Sequence, residues 1–128
     1  MPESYRQLPP ELWPKGVENR NQGMKWVYDH VLSTGDYSGA LYFADDDNTY
    51  DLRLFDEIRY TQTVSMFPVG FVSGLFVSTP ILDENNTFSK FYTGWNGKRK
   101  FLIDMAGFAV GIKYFVEKSR QIQSKAIL

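Results

Sequence analysis

Five apolar residues, Ala40-Leu41-Tyr42-Phe43-Ala44, run straight into three carboxylates, Asp45-Asp46-Asp47. The nearly continuous apolar run from Ser38 to Ala44 reads as a short buried strand of a parallel sheet, with the aspartates at its tip. This pairing constrains the fold most, because an open α/β sheet binds its ligands at the ends of its strands. Adjacent carboxylates repel one another, and a cation relieves both the repulsion and the desolvation cost. Hard oxygen ligands beside open coordination positions suit Mg²⁺ or Mn²⁺ shared with a diphosphate. The residues therefore suggest a metal-assisted nucleotide-sugar site. The plainer alternative is an acidic turn that caps the next helix, since Asp-Asp-Asp-Asn is good turn chemistry and short acidic runs are common on solvated surfaces.

The flanking patterns place this strand in an α/β order. Residues 1–16 hold Pro2, Pro9, Pro10 and Pro14 and form an irregular lead-in. From Val17 the apolar residues Met24, Val27, Tyr28 and Val31 recur at helical spacing, and Gly35 supplies the stop. Leu52, Leu54, Phe55 and Ile58 mark a second helix, with Thr49 or Asp51 as its cap. Val64 to Val77 is rich in β-formers, with Pro68 and Gly70 marking a break or bulge. Asp83 to Asn86 is a turn, Thr87 to Tyr92 a returning strand, and Gly94 to Arg99 a basic loop. Phe101 to Ile103 reads as an apolar strand leading into Met105-Ala106-Gly107, with a helix towards the C-terminus. Helix, strand, helix, strand is the order of a β/α/β unit with a parallel sheet.

Composition excludes several classes. At 43% hydrophobic and 16% aromatic residues, the chain can bury a core. Net charge is -1, with 14 basic against 15 acidic residues, so no basic stripe is set aside for nucleic acid. The absence of cysteine removes disulfides and thiolate chemistry. No apolar run approaches the ~20 residues of a membrane span. Asn85-Asn86-Thr87 is a sequon that would accept a glycan at Asn85 in a secretory lumen. His30, the one histidine, lies on the first helix and reads as structural or exposed.

Four stretches together resemble the β-1,3-glucuronosyltransferase family: Lys15-Gly16-Val17-Glu18-Asn19-Arg20-Asn21, Tyr42 to Tyr50, Val64 to Gly70, and Ile103 to Val110. The resemblance implies a nucleotide-sugar glycosyltransferase fold of the GT-A-like, Rossmann-related mixed-sheet type, incomplete here, with residues 17–128 as a partial catalytic domain. It implies transfer of glucuronic acid from UDP-glucuronate to a galactose-terminated glycan. Asp45 and Asp46 would lie against the uridine nucleoside, and Asp47 would bind Mn²⁺. Arg20 matches a donor-binding arginine, and Lys15 stands where the family usually has arginine, so charge is kept but the guanidinium fork is lost. Arg99 and Asp104 match an arginine and an aspartate that hold galactose hydroxyls. A Golgi lumenal location is implied, as a type II membrane protein in full-length form, with homodimer formation left open.

Besides Lys15, the sequence departs from the family in two further places. Ser78 stands where the family carries an acceptor-binding glutamate. No glutamate corresponds to the family's catalytic base, since Glu117 lies too close to the Ala106–Val110 segment. The expectation is thus an inverting, Mn²⁺-dependent glucuronosyltransferase of which this chain is an inactive part. The alternatives are a catalytically dead module that binds UDP-sugar or a partner, and a relative using another donor such as UDP-xylose.

Overall fold

The computed structural model describes residues 16–72, 74–94 and 101–126, with side chains described to residue 122. It divides into two compact units, Met1–Tyr37 and Ser38–Leu128. The proline-bearing lead-in, Lys15 included, lies outside the described residues up to residue 15.

The first unit contains helix α1, Val17–Thr34. Its apolar stripe is the predicted one, with Met24, Val27 and Tyr28 half-buried and Val31 fully buried. Gly35 closes the helix at φ 72°, donating its N–H to the Val31 carbonyl at 2.9 Å. Most side chains pay a steric penalty in this left-handed cap, and glycine does not. His30 is exposed and stacked on Trp26, with ring centroids 4.8 Å apart.

The second unit runs β1 (Ala40–Tyr42), α2 (Leu52–Ile58), β2 (Val64–Met66), β3 (Val69–Val72), β4 (Leu75–Leu82), β5 (Phe88–Tyr92), β6 (Phe108–Gly111) and α3 (Ile112–Ala126). Asp51 caps α2 by accepting the Arg53 N–H at 3.0 Å. Asp83 closes the β4–β5 hairpin, accepting from the Asn85 and Thr87 amides at 2.9 Å each. Asn85 is exposed in that turn.

Among the described residues two three-stranded sheets form, β1-β6-β2 and β3-β4-β5, and every pairing in them is antiparallel. This corrects the parallel sheet expected from the sequence. Strands β1 and β2 do run in the same direction, joined by α2, because each pairs antiparallel with β6. The β/α/β order survives, but a strand from far along the chain is inserted at its centre. β6 suits that place: Ala109 and Gly111 are buried, and their small size lets other backbone approach closely. β1 spans only three residues, half-buried, at the edge of this sheet among the described residues.

Phe67 and Pro68 lie between the two sheets. The Phe67 N–H donates to the Gly107 carbonyl at 2.9 Å, extending the β2–β6 ladder by one bond. Pro68 has no N–H to continue it, and Val69 starts β3 in the second sheet. The predicted break therefore falls here, while Gly70 lies within β3, opposite Val77. Residues 101–104 form no strand; instead Asp104 caps a short 3-10 turn, Met105–Gly107, accepting the Ala106 N–H at 2.9 Å. The core of this unit comprises Ile58, Ala106, Ala109, Ile112 and Val116. No helix among the described residues is long and apolar enough to cross a membrane.

Candidate active site

A cleft of about 570 Å³ opens beside the tip of β1 in the second unit. Asp47 to Asp51 form one wall, residues 67–71 another, and Tyr42 and Ala106 also line it. The cleft is strongly aromatic. The Tyr42 ring lies 6.0 Å from Tyr50, 6.2 Å from Phe55 and 6.2 Å from Phe67, centroid to centroid. The Tyr42 hydroxyl donates to the Ala106 carbonyl at 3.0 Å, and the Tyr50 hydroxyl donates to the Asp45 carbonyl at 2.9 Å. Such a pocket offers flat apolar faces beside a few polar groups, the usual make-up of a small-molecule site.

The three aspartates do not converge. Asp45 is half-buried, Asp46 is exposed, and Asp47 is exposed and lines the cleft. Asp46 and Asp47 lie in a turn beyond the end of β1, so the chain changes direction within the triplet. Among the described residues, no three His, Cys, Asp or Glu side chains are grouped to hold a metal. Asp51 also lines the cleft, but Arg53 engages its carboxylate. The hydrogen bonds from Arg53 push that carboxyl down to about 2. Asp47 is the remaining carboxylate of this wall, and it has no ion-pair partner among the described residues.

Asp104 belongs to the same unit and sits at the start of the 3-10 turn that carries Ala106 into the cleft lining. Arg20 belongs to the first unit, half-buried on α1, where its N–H donates to the Gly16 carbonyl at 3.1 Å. Lys15 and Arg99 lie outside the described residues. Ser78 is buried and donates to the Tyr92 carbonyl at 3.2 Å, so in this chain it serves the β4–β5 pairing. Sequence reasoning missed Tyr42, Tyr50 and the 67–71 wall as site residues. The available signal was Pro68, which turns that segment out of the first sheet.

Burial pushes the Tyr42 hydroxyl up to about 12, helped by the nearby Tyr50, Asp104 and Asp45. An unfolded chain releases this proton near 10, so the contribution to stability is complete below that pH and is lost as pH rises towards 12. We expect urea stability to fall over this window, and Tyr42→Phe to make the fall shallower. Identical slopes for the two proteins would contradict this assignment.

The profile of glycosyltransferase family 43 matches residues 1–127. The chain belongs to glycosyltransferase family 43. It is 45% identical over 118 residues to the Drosophila melanogaster galactosylgalactosylxylosylprotein 3-beta-glucuronosyltransferase P, covering 92% of this chain and 23% of that protein. Identity is 43% over 111 residues to the Caenorhabditis elegans 3-beta-glucuronosyltransferase sqv-8, covering 87% of this chain and 31% of the relative. It is 42% over 109 residues to the human 3-beta-glucuronosyltransferase 2, covering 85% and 33%. The chain thus spans about a quarter to a third of the length of these family 43 relatives. By their names these relatives are glucuronosyltransferases acting on a galactosylgalactosylxylosylprotein, which places this family 43 chain among the sequences of an enzyme family.

Proposed function

We propose that this chain is the part of a glucuronosyltransferase that binds the diphosphate end of UDP-glucuronate and one face of a terminal galactose. The observation that carries this reading is the opening of the Asp45–Asp47 segment into an aromatic cleft through a single exposed carboxylate, Asp47. A nucleotide-sugar needs flat apolar contact for its rings and a counter-charge for its diphosphate. Asp47 would hold a divalent cation, Mn²⁺ by the family resemblance. One protein carboxylate is a sufficient protein share, since such ions keep several waters and share phosphate oxygens. When bound, the cation would neutralise charge on the departing UDP.

The remaining roles fall to this chain's own side chains. Asp45 and Asp46 would contact the nucleoside, and Arg20 is carried as a donor contact by resemblance. Asp104, with Arg99, would accept and donate hydrogen bonds to galactose hydroxyls. The whole protein would be a Golgi enzyme of glycan synthesis. This chain by itself would bind without turnover, because no glutamate in it matches the family's base, and losing a general base costs roughly 10²–10⁴-fold.

Calorimetric titration of the chain with UDP, with Mn²⁺ and then with excess chelator, tests the reading. We expect UDP to bind with Mn²⁺ and to bind at least tenfold more weakly with chelator. Equal affinity in both would remove the metal from the site, and no binding in either would remove the nucleotide.

A further inference from the structure

Beyond the end of the β1–β6 ladder, at Tyr42 and Ala109, the turn at residues 105–107 is fastened from two sides. Just past the end of β2, the Phe67 N–H reaches the Gly107 carbonyl at 2.9 Å. From β1, the Tyr42 hydroxyl reaches the Ala106 carbonyl at 3.0 Å across 64 residues of sequence. We propose that Tyr42 is a positioning residue for the transfer reaction, its hydroxyl holding the Asp104 turn in fixed register with the Asp45–Asp47 loop. This inference rests on reading the cleft as a glucuronosyl-transfer site.

The contacts form one continuous path. Asp45 accepts from the Tyr50 hydroxyl at 2.9 Å, and the Tyr50 ring meets the Tyr42 ring edge-on at 6.0 Å. Tyr42 donates to Ala106, whose N–H is held at 2.9 Å by the Asp104 carboxylate. Ala106 is only 6% exposed, so water cannot readily replace the tyrosine hydroxyl on its carbonyl. Phe55 and Phe67 pack against the Tyr42 ring and fix the direction of its oxygen. A tyrosine hydroxyl keeps its proton throughout the neutral range, and burial raises its pKa further, so the bond persists there. A phenylalanine would keep the ring contacts and lose only the tie. The group acts through Asp104 and needs no contact with substrate.

The experiment compares the chain with Tyr42→Phe, Asp104→Asn and the double variant, titrated by amide NMR with UDP–Mn²⁺ and with methyl β-galactoside. We expect Tyr42→Phe to weaken galactoside binding about tenfold and leave UDP affinity within about twofold. The double variant should bind galactoside no more weakly than the poorer single variant, because both changes break one path. Equal losses for the two ligands would mark Tyr42 as merely structural and overturn the proposal, as would no loss or multiplying losses. If the unaltered chain binds neither ligand, the site reading fails and the positioning role falls with it. Amide exchange then separates the two failures. Ala106 and Gly107 exchanging about tenfold faster in Tyr42→Phe, with Ala109 and Val110 unchanged, shows a real tie in a different kind of site, whereas equal rates show that the tie itself is wrong.

Discussion

Gly111→Ala should unfold the second unit at a temperature roughly 10 °C or more below that of the unaltered chain. A methyl group at this position would press into the carbonyl oxygen of Gln62, lie 2.5 Å from that of Thr61 and 2.7 Å from the Gln62 carbonyl carbon. All three are backbone atoms, so no side chain can swing aside. The chain at 61–63 would have to retreat, and the Gly111 N–H to Thr63 carbonyl bond of 2.8 Å would be strained with it. Overpacking alone costs about 1–3 kcal/mol, and a lost hydrogen bond adds about 1 kcal/mol. Against a total stability of about 5–15 kcal/mol, that is a large share. Gly23→Ala is the control: nothing lies within 4 Å of its added methyl, and the substitution in mid-helix should stabilise by about 0.5–1 kcal/mol. Thermal denaturation of both variants by circular dichroism checks the pair. A melting temperature for Gly111→Ala within two degrees or so of the parent would show that this close approach is wrong.

Asp47→Ala should abolish the enhancement of UDP affinity by Mn²⁺. Asp47 is the triplet's one member that lines the cleft, and Asp51 on the same wall is already held by Arg53. Removing one partner of a charged interaction costs about 1.5–3 kcal/mol, hence roughly ten- to a hundredfold in affinity. Asp46→Ala should leave the Mn²⁺ enhancement in place, because Asp47 and not Asp46 is the carboxylate of the triplet that lines the cleft. Titration calorimetry with and without metal separates the two variants. If Asp46→Ala removes the metal effect and Asp47→Ala leaves it intact, the cation has been placed on the wrong carboxylate.

What could be read from the sequence was governed by local chemistry. The α1 stripe, the Gly35 stop, the Asp51 cap and the Asp83 turn each depend on residues within a few positions of one another, and all are present in the structure. Strand pairing does not depend on neighbours. Nothing near Ala40 or Val64 announces that both strands will pair with β6, so the order pointed to a parallel sheet. At the site, the aspartates stood out because their charge is unusual beside an apolar run. Tyr42, Tyr50 and Phe67 did not, because aromatic residues in apolar stretches look alike whether they fill a core or line a cleft. The apolar run at 101–103 misled for a related reason: among the described residues no strand pairs with it, and Asp104 gives the chain a capped turn instead.

The insertion of β6 between β1 and β2 bears on the order in which the molecule assembles. The β3-β4-β5 hairpins join neighbours in sequence and can close within microseconds. The other sheet cannot exist before its central strand arrives, and the bond from Tyr42 to Ala106 spans 64 residues. Closing so long a loop costs entropy that only completed contacts repay. During synthesis, β1 and its aspartates must therefore wait for β6 until residues 108–111 have left the ribosome. The ligand cleft is then among the last features to form, and a nucleotide added during refolding should bind only at the end of the reaction.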